Sequence, residues 1–353
     1  MRRTTCALTI GTIITAATML AAASTPDAEM KAVLDALASL GGKPIPTLSP
    51  ADARKQPTPA DAVKRVLEQR GKGTSPEPVA KVDDRMIPGG GGQIPIRIYW
   101  PAGDGPFPVV FYIHGGGWVI ADLDTYDSSA RALANAARAV VVSTHYRQAP
   151  EHAYPAAHDD AFAAYRWTLK NAASLEGDPA RIAVAGESAG GNMAAVVSLR
   201  ARDQKVQLPV HQLLVYPVAG TDMNTTSYEE NASAKPLDKP TMAWFAKHYL
   251  GDAAATGNAE INLAARKDLK GLPPTTIVTA DIDPLRSEGQ MLAKALQHAG
   301  VAVSSRNFEG STHEFFGMGA VVPDAKEAVA FAAGELRKAF AAGARTGTGR
   351  PER

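Results

Sequence analysis

From residue 79 onward, short apolar runs alternate with longer stretches whose apolar positions recur at helical spacing. The runs lie near 79–87, 94–100, 108–114, 139–146, 181–185, 212–216, 275–280 and 301–308. Helical stretches are read at 125–138, 158–173, 189–203, 286–299 and 324–341. Strands that alternate with helices of this length predict an α/β fold, with a mostly parallel sheet covered on both faces. The first strands have no helix between them, so they are expected to form an antiparallel edge. Gly89–Gly92 falls in that hairpin; no helix opens after it, so the glycines read as a turn rather than a phosphate cradle.

Before residue 79 the pattern is different. Met30, Val33, Leu34, Leu37 and Leu40 mark a helix over 27–40 that Gly41-Gly42 ends, and Ala62, Val63, Val66 and Leu67 mark a second over 60–70. The proline-rich stretch 43–59 between them reads as a loop or linker. The segment 220–262 interrupts the later alternation with one helical piece near 239–250. Residues 24–78 and 220–262 are therefore expected to form a helical cap on a core spanning 79–342. The tail 343–353 is rich in Gly, Thr and Arg and reads as disordered.

The extreme N-terminus has the three parts of a secretory signal. Arg2 and Arg3 precede an apolar stretch from Ala7 to Leu20, and Ala21-Ala22-Ala23 offers a cleavage site before Ser24. The stretch is short for a spanning helix, which needs roughly 20 apolar residues. The mature protein is thus expected to be exported, periplasmic or secreted, without a stable membrane anchor. Cys6, the single cysteine, would leave with residues 1–23. That removes disulfides, thiolate metal sites and a cysteine nucleophile from the mature chain.

Composition narrows the classes further. The 353 residues are 45% hydrophobic and 21% charged, with a net charge of +1, as in an ordinary globular protein. No charge bias calls for nucleic acid. His152 and His158 are six apart, which is not a zinc spacing on one helical face. No metal and no cofactor are expected.

The chemistry concentrates in two glycine motifs. Gly186-Glu187-Ser188-Ala189-Gly190 fits G-x-S-x-G, with a strand before it and a helix after. That context puts a serine on a sharp strand-to-helix turn, where its oxygen is exposed above the sheet at a helix N-terminus. His114-Gly115-Gly116-Gly117 ends an earlier strand. Two of its N–H groups, with that of Ala189, would bind the oxyanion of a tetrahedral intermediate. A serine needs a base, and the base an acid, and in this fold the chain order is Ser, acid, His. His211 borders a strand, while His248 and His298 fall on helices. Only His313 follows the last strand. Asp281 and Asp283 both follow the strand 275–280, and position alone does not separate them.

These motifs, with Trp118, the run Tyr146-Arg147-Gln148-Ala149-Pro150-Glu151-His152, Gly191, Asp283-Pro284-Leu285 and His313-Glu314-Phe315, resemble the signatures of the hormone-sensitive-lipase family of esterases. The likeness runs from about 79 to 340, in the family's order. It implies an α/β-hydrolase fold and a triad of Ser188, Asp283 and His313, choosing Asp283 over Asp281. It also implies a two-part cap and hydrolysis of mainly short acyl esters. Trp118, Trp244 and Phe245 are candidate pocket walls, although buried packing alone is the favoured reading of the last two.

The chain departs from the family at Glu187 (usually Asp or Thr), Glu314 (usually Gly), His145 (usually Asp), Ser287 (usually Asp) and Gln148 (usually Leu). Glu314 has two readings: a carboxylate that raises the pKa of His313, or a solvated side chain facing away, which is favoured. The expected activity is hydrolysis of short- to medium-chain esters through an acyl-enzyme on Ser188, with a small-molecule ester as partner and homodimer pairing through an edge strand left open. The alternatives are an amide, carbamate or lactone hydrolase with the same triad, or a non-catalytic binder like the gibberellin receptor, which has lost the histidine.

Overall fold

The computed structural model describes residues 24–251 and 258–347. Residues 1–23, on which the expected secretory signal falls, residues 252–257 and residues 348–353 lie outside them. Eight strands form one sheet: β1 (Lys81–Gly89), β2 (Gly92–Trp100), β3 (Phe107–Ile113), β4 (Val140–Thr144), β5 (Gly177–Glu187), β6 (Gln212–Val215), β7 (Thr275–Ile282) and β8 (Val303–Thr312). The spatial order is β1-β2-β4-β3-β5-β6-β7-β8. Only β2 runs against the others; it pairs antiparallel with both β1 and β4, and every later pair is parallel. The glycine run makes the β1–β2 turn, with Gly89 paired to Gly92.

Ten helices accompany the sheet among the described residues: α1 (Ala28–Ser39), α2 (Pro50–Ala53), α3 (Pro59–Gln69), α4 (Asp127–Ala137), α5 (Ala156–Asn171), α6 (Ala189–Asp203), α7 (Thr226–Glu230), α8 (Lys239–Leu250), α9 (Arg286–His298) and α10 (Pro323–Gly347). The period of two in the strands divides the core. Val109, Phe111, Ile113, Val140, Val142, Ile182 and Val184 face one apolar cluster with α5, α6 and α8. Val110, Tyr112, Val141, Ala183 and Ala185 face the other, with α1, α3, α4 and α10. Helix α6 is buried almost all round, as a helix between a sheet and a further helix must be.

Three local expectations change. The stretch 43–59 contains helix α2, opened by the Ser49 cap with proline at its first position. Helix α7 adds a short turn within the cap insertion. Helix α10 continues to Gly347, past the predicted start of a disordered tail at Gly343. Ala341, Ala342 and Ala344 are strong helix formers and carry it onward. The N-terminal segment and the 220–262 segment, both expected to form a cap, meet where the 45–47 turn packs on α8. Helices α1 and α3, however, are anchored in the sheet's own core.

Candidate active site

The carboxyl ends of β3, β5, β7 and β8 lie along one edge of the sheet, where open α/β sheets place their ligands. Register does the detailed placement. Ile113 pairs with Gly186, which sets the glycine turn after β3 beside the turn after β5. Ile282 pairs with Thr312 across an irregularity in the β7–β8 ladder, so the next residues, Asp283 and His313, emerge side by side.

Ser188 sits between β5 and α6 with φ 56° and ψ −118°, a strained conformation for a residue with a Cβ. The flanking glycines are required by contact. A Cβ on Gly190 would lie 2.0 Å from the carbonyl oxygen of Ile113, and one on Gly186 would lie 2.1 Å from that of Gly190. Both obstacles are backbone, so neither can move cheaply. Gly190→Ala is therefore expected to lower stability by about 3 kcal/mol, read as a shift of the urea midpoint at unchanged slope.

The three triad candidates meet. His313 Nδ1 lies 2.7 Å from Asp283 Oδ2, and His313 Nε2 lies 3.0 Å from Ser188 Oγ. The other oxygen of Asp283 accepts the N–H of Leu285 at 2.8 Å, which fixes the carboxylate plane. All three side chains are buried. Burial pushes the pKa of His313 down, but the charge and hydrogen bond of Asp283 outweigh it, Glu314 and Glu187 add to them, and the net shift is upward. Asp281 instead pairs with Arg286 at 2.8 Å and does not reach the histidine's partner position.

The turn after β3 has an inner logic. The carbonyl of Gly115 accepts from the Tyr146 hydroxyl at 2.7 Å and from His114 Nδ1 at 2.8 Å. The carbonyl of Gly116 accepts from the N–H groups of Val119 and Ile120, both at 3.0 Å. In a planar trans peptide the N–H points opposite the carbonyl. The N–H groups of Gly116 and Gly117 therefore point away from those partners, while Gly115 serves as the close approach: a Cβ there would come 3.1 Å from Ser188 Cβ. Ala189 opens α6, so its N–H has no acceptor inside the helix. Gly116 and Gly117 take φ 93° and 58°, which glycine adopts without strain.

His114 is buried and neutral, its pKa pushed down to about 3 by burial and by His145. Because Nδ1 donates to Gly115, Nε2 must accept, and His145 Nδ1 at 2.9 Å must be the donor. This is how a histidine stands where the family usually has aspartate. Gln148 donates to the carbonyls of Ile120 and Ala121, both at 2.8 Å, and so ties down the end of the same turn. Ser287, in the first turn of α9, exchanges hydrogen bonds with Ser227 of α7: each hydroxyl accepts the other residue's backbone N–H.

Glu314 departs from its favoured sequence reading. Glu314 is not a solvated side chain facing away. Its hydroxyl donor is Tyr126 at 2.6 Å, and its Oε1 lies 3.8 Å from His313 Nε2. The backbone at φ 70° turns it inward, which no pattern of hydrophobicity signals. Glu187 is buried as well, bonded by the hydroxyls of Tyr112 at 2.5 Å and of Tyr216. Burial and the charge of Glu314 push its pKa up to about 7, against the two tyrosines. Of the pocket candidates, Phe245 covers Gly117, whose Cβ would sit 2.2 Å from the ring, and Trp244 packs edge-on against it. Trp118 is buried in a stack with Tyr249 at 4.7 Å between centroids. Among the described residues, no group of three or more His, Cys, Asp or Glu side chains converges as metal ligands would, and no helix is long and apolar enough to cross a membrane.

Comparison with known proteins agrees with this geometry. Residues 110–317 match the model of a family described as having the alpha/beta hydrolase fold. The chain is 44% identical over 282 residues to the carboxylesterase NlhH of Mycobacterium tuberculosis, covering 76% of this chain and 86% of that one. It is 44% identical over 262 residues to the esterase LipI of the same organism, covering 71% and 80%. Among solved structures, it resembles an alpha/beta hydrolase enzyme from the Lake Arreo metagenome with a TM-score of 0.79 at 36% identity, covering 92% of this chain and 99% of that one.

Proposed function

We propose a mechanism from the premise that this chain belongs to the α/β-hydrolase family, of the hormone-sensitive-lipase type. It is a serine carboxylester hydrolase. The observation that carries the mechanism is the unbroken line of hydrogen bonds from Asp283 through His313 to Ser188.

Ser188 Oγ attacks the ester carbonyl while His313 Nε2 takes its proton. Asp283 keeps the other ring proton on Nδ1 and stabilises the imidazolium. The N–H groups of Gly116, Gly117 and Ala189 receive the oxyanion, each donor contributing about 3–4 kcal/mol to the transition state. The imidazolium returns its proton to the departing alkoxide, and the alcohol leaves. Water then attacks the acyl-enzyme, with His313 again as base, and Ser188 is regenerated. Phe245, whose ring lies over Gly117, would narrow the space beside the oxyanion donors.

The substrates are short- to medium-chain acyl esters, which p-nitrophenyl esters from acetate to palmitate test directly. Turnover should be highest for the short members and fall beyond medium length. Activity on none of them, from folded protein, would move the reading to amides or lactones. Export belongs to the same proposal: cleavage before Ser24 removes residues 1–23, and N-terminal sequencing of the mature protein checks it.

A further inference from the structure

The mechanism uses a carboxylate on the Nδ1 side of His313, yet a second one stands on the Nε2 side. Glu314 Oε1 lies 3.8 Å from Nε2, the nitrogen that also faces Ser188 Oγ at 3.0 Å. The Tyr126 hydroxyl donates to that same oxygen at 2.6 Å. This hydroxyl is itself at the level of the nucleophile, because a Cβ on Gly115 would meet it at 2.3 Å and Ser188 Cβ at 3.1 Å. The Glu314 side chain is 19% exposed, so water screens it little.

We propose that Glu314 is a positioning residue for His313: anchored by Tyr126, its carboxylate stabilises the imidazolium formed in both half-reactions. In acylation the proton passes from Ser188 Oγ to Nε2 and on to the leaving alkoxide. In deacylation it passes from water to Nε2 and back to Ser188 Oγ. Each time the positive ring stands between two carboxylates. The inference rests on the esterase reading above.

The surrounding groups set the sign. Asp283 faces Nδ1 at 2.7 Å, and the ring of Tyr216 packs on His313 at 4.5 Å between centroids. Glu187, held by Tyr112 and Tyr216, adds to the upward shift of His313, while the charge of Glu314 pushes Glu187 itself upward. Glu314 faces Tyr126 and His313, which favour its anion, whereas burial, the largest influence, and Asp283 disfavour it. An anion beside a histidine favours the charged ring. Removing Glu314 therefore leaves His313 neutral down to lower pH.

The experiment is the pH–rate profile of kcat/KM for Glu314→Gln and Tyr126→Phe, run beside wild type and Ser188→Ala. In Glu314→Gln the acidic limb should move down by about one pH unit, and kcat on the plateau should fall by no more than about tenfold. Tyr126→Phe should move the limb the same way by less, since it frees the carboxylate without removing it. A loss of plateau activity with the limb unmoved in the folded variants would overturn the proposal and leave Glu314 a structural residue. Should Glu314→Gln not fold, Tyr126→Phe decides alone. An NMR titration of the His313 ring reads the same pKa without substrate. Wild type inactive on every ester would thus sink the esterase reading, while an unshifted His313 titration in the variants would sink this one.

Discussion

Ser188→Ala is expected to reduce kcat on a p-nitrophenyl ester by about a millionfold while leaving the protein folded. The effect is one of position. The elbow between β5 and α6 presents a single oxygen to His313 Nε2, and Ala supplies none. The donors at Gly116, Gly117 and Ala189 remain, so some residual acceleration over water survives. The substitution should cost little stability, because alanine bears the same strain at φ 56° as serine does. Ser188→Gly goes further: it should be equally inactive yet more stable than Ser188→Ala by about 1 kcal/mol, because glycine adopts that conformation freely. Melting temperatures of the two variants, measured with the rates, test both halves. Substantial turnover in either variant would mean that another nucleophile acts.

Asp283→Asn carries the second-largest expected effect, about ten-thousandfold in kcat. Oδ2 accepts the Nδ1 proton of His313 and Oδ1 accepts the N–H of Leu285, so both acceptor positions of the carboxylate are committed. An amide must turn either its oxygen or its NH2 toward the ring. With the NH2 turned inward, Nδ1 becomes an acceptor and Nε2 carries the proton, so the ring cannot take one from Ser188. With the oxygen inward, the NH2 faces the Leu285 N–H, donor against donor, and the charge that stabilises the imidazolium is gone. Asp281→Asn is the matched control. It weakens a pair with Arg286 that does not touch His313, and should change kcat by less than about threefold. A crippled Asp281→Asn beside an active Asp283→Asn would reverse the assignment of the acid.

Much of the site could be read because its chemistry demands local sequence. A strained elbow with backbone on both sides accepts only glycine at 186 and 190, so G-x-S-x-G is written into the chain. The turn after β3 needs glycines for the same kind of reason. Glu314 and Trp118 are less legible in the sequence. Whether a residue after the last strand faces solvent or the base depends on one backbone angle, here φ 70°, and on a tyrosine 188 positions away. The burial of Trp118 depends on Tyr249, which belongs to the cap insertion. Neither distance leaves a trace in local pattern.

The same division runs through the whole molecule. Hydrophobic periodicity is a property of neighbouring residues, so the chain alone determined eight strands, most of the helices, the α/β class and the strand-to-helix context of Ser188. Strand order is a property of distant residues. That β4 lies between β2 and β3, and that β5 stands beside β3, follows from how apolar faces find cover, and only the folded sheet decides it. The pairing of Ile282 with Thr312, which brings Asp283 to His313, is likewise a matter of register across a bulge. So is the approach of Phe245 to Gly117 from a separate part of the chain. Sequence supplied the reacting groups, because each needs a particular side chain at a particular turn. Tertiary structure supplied their distances and their charged surroundings, because those depend on contacts between segments that the chain holds far apart.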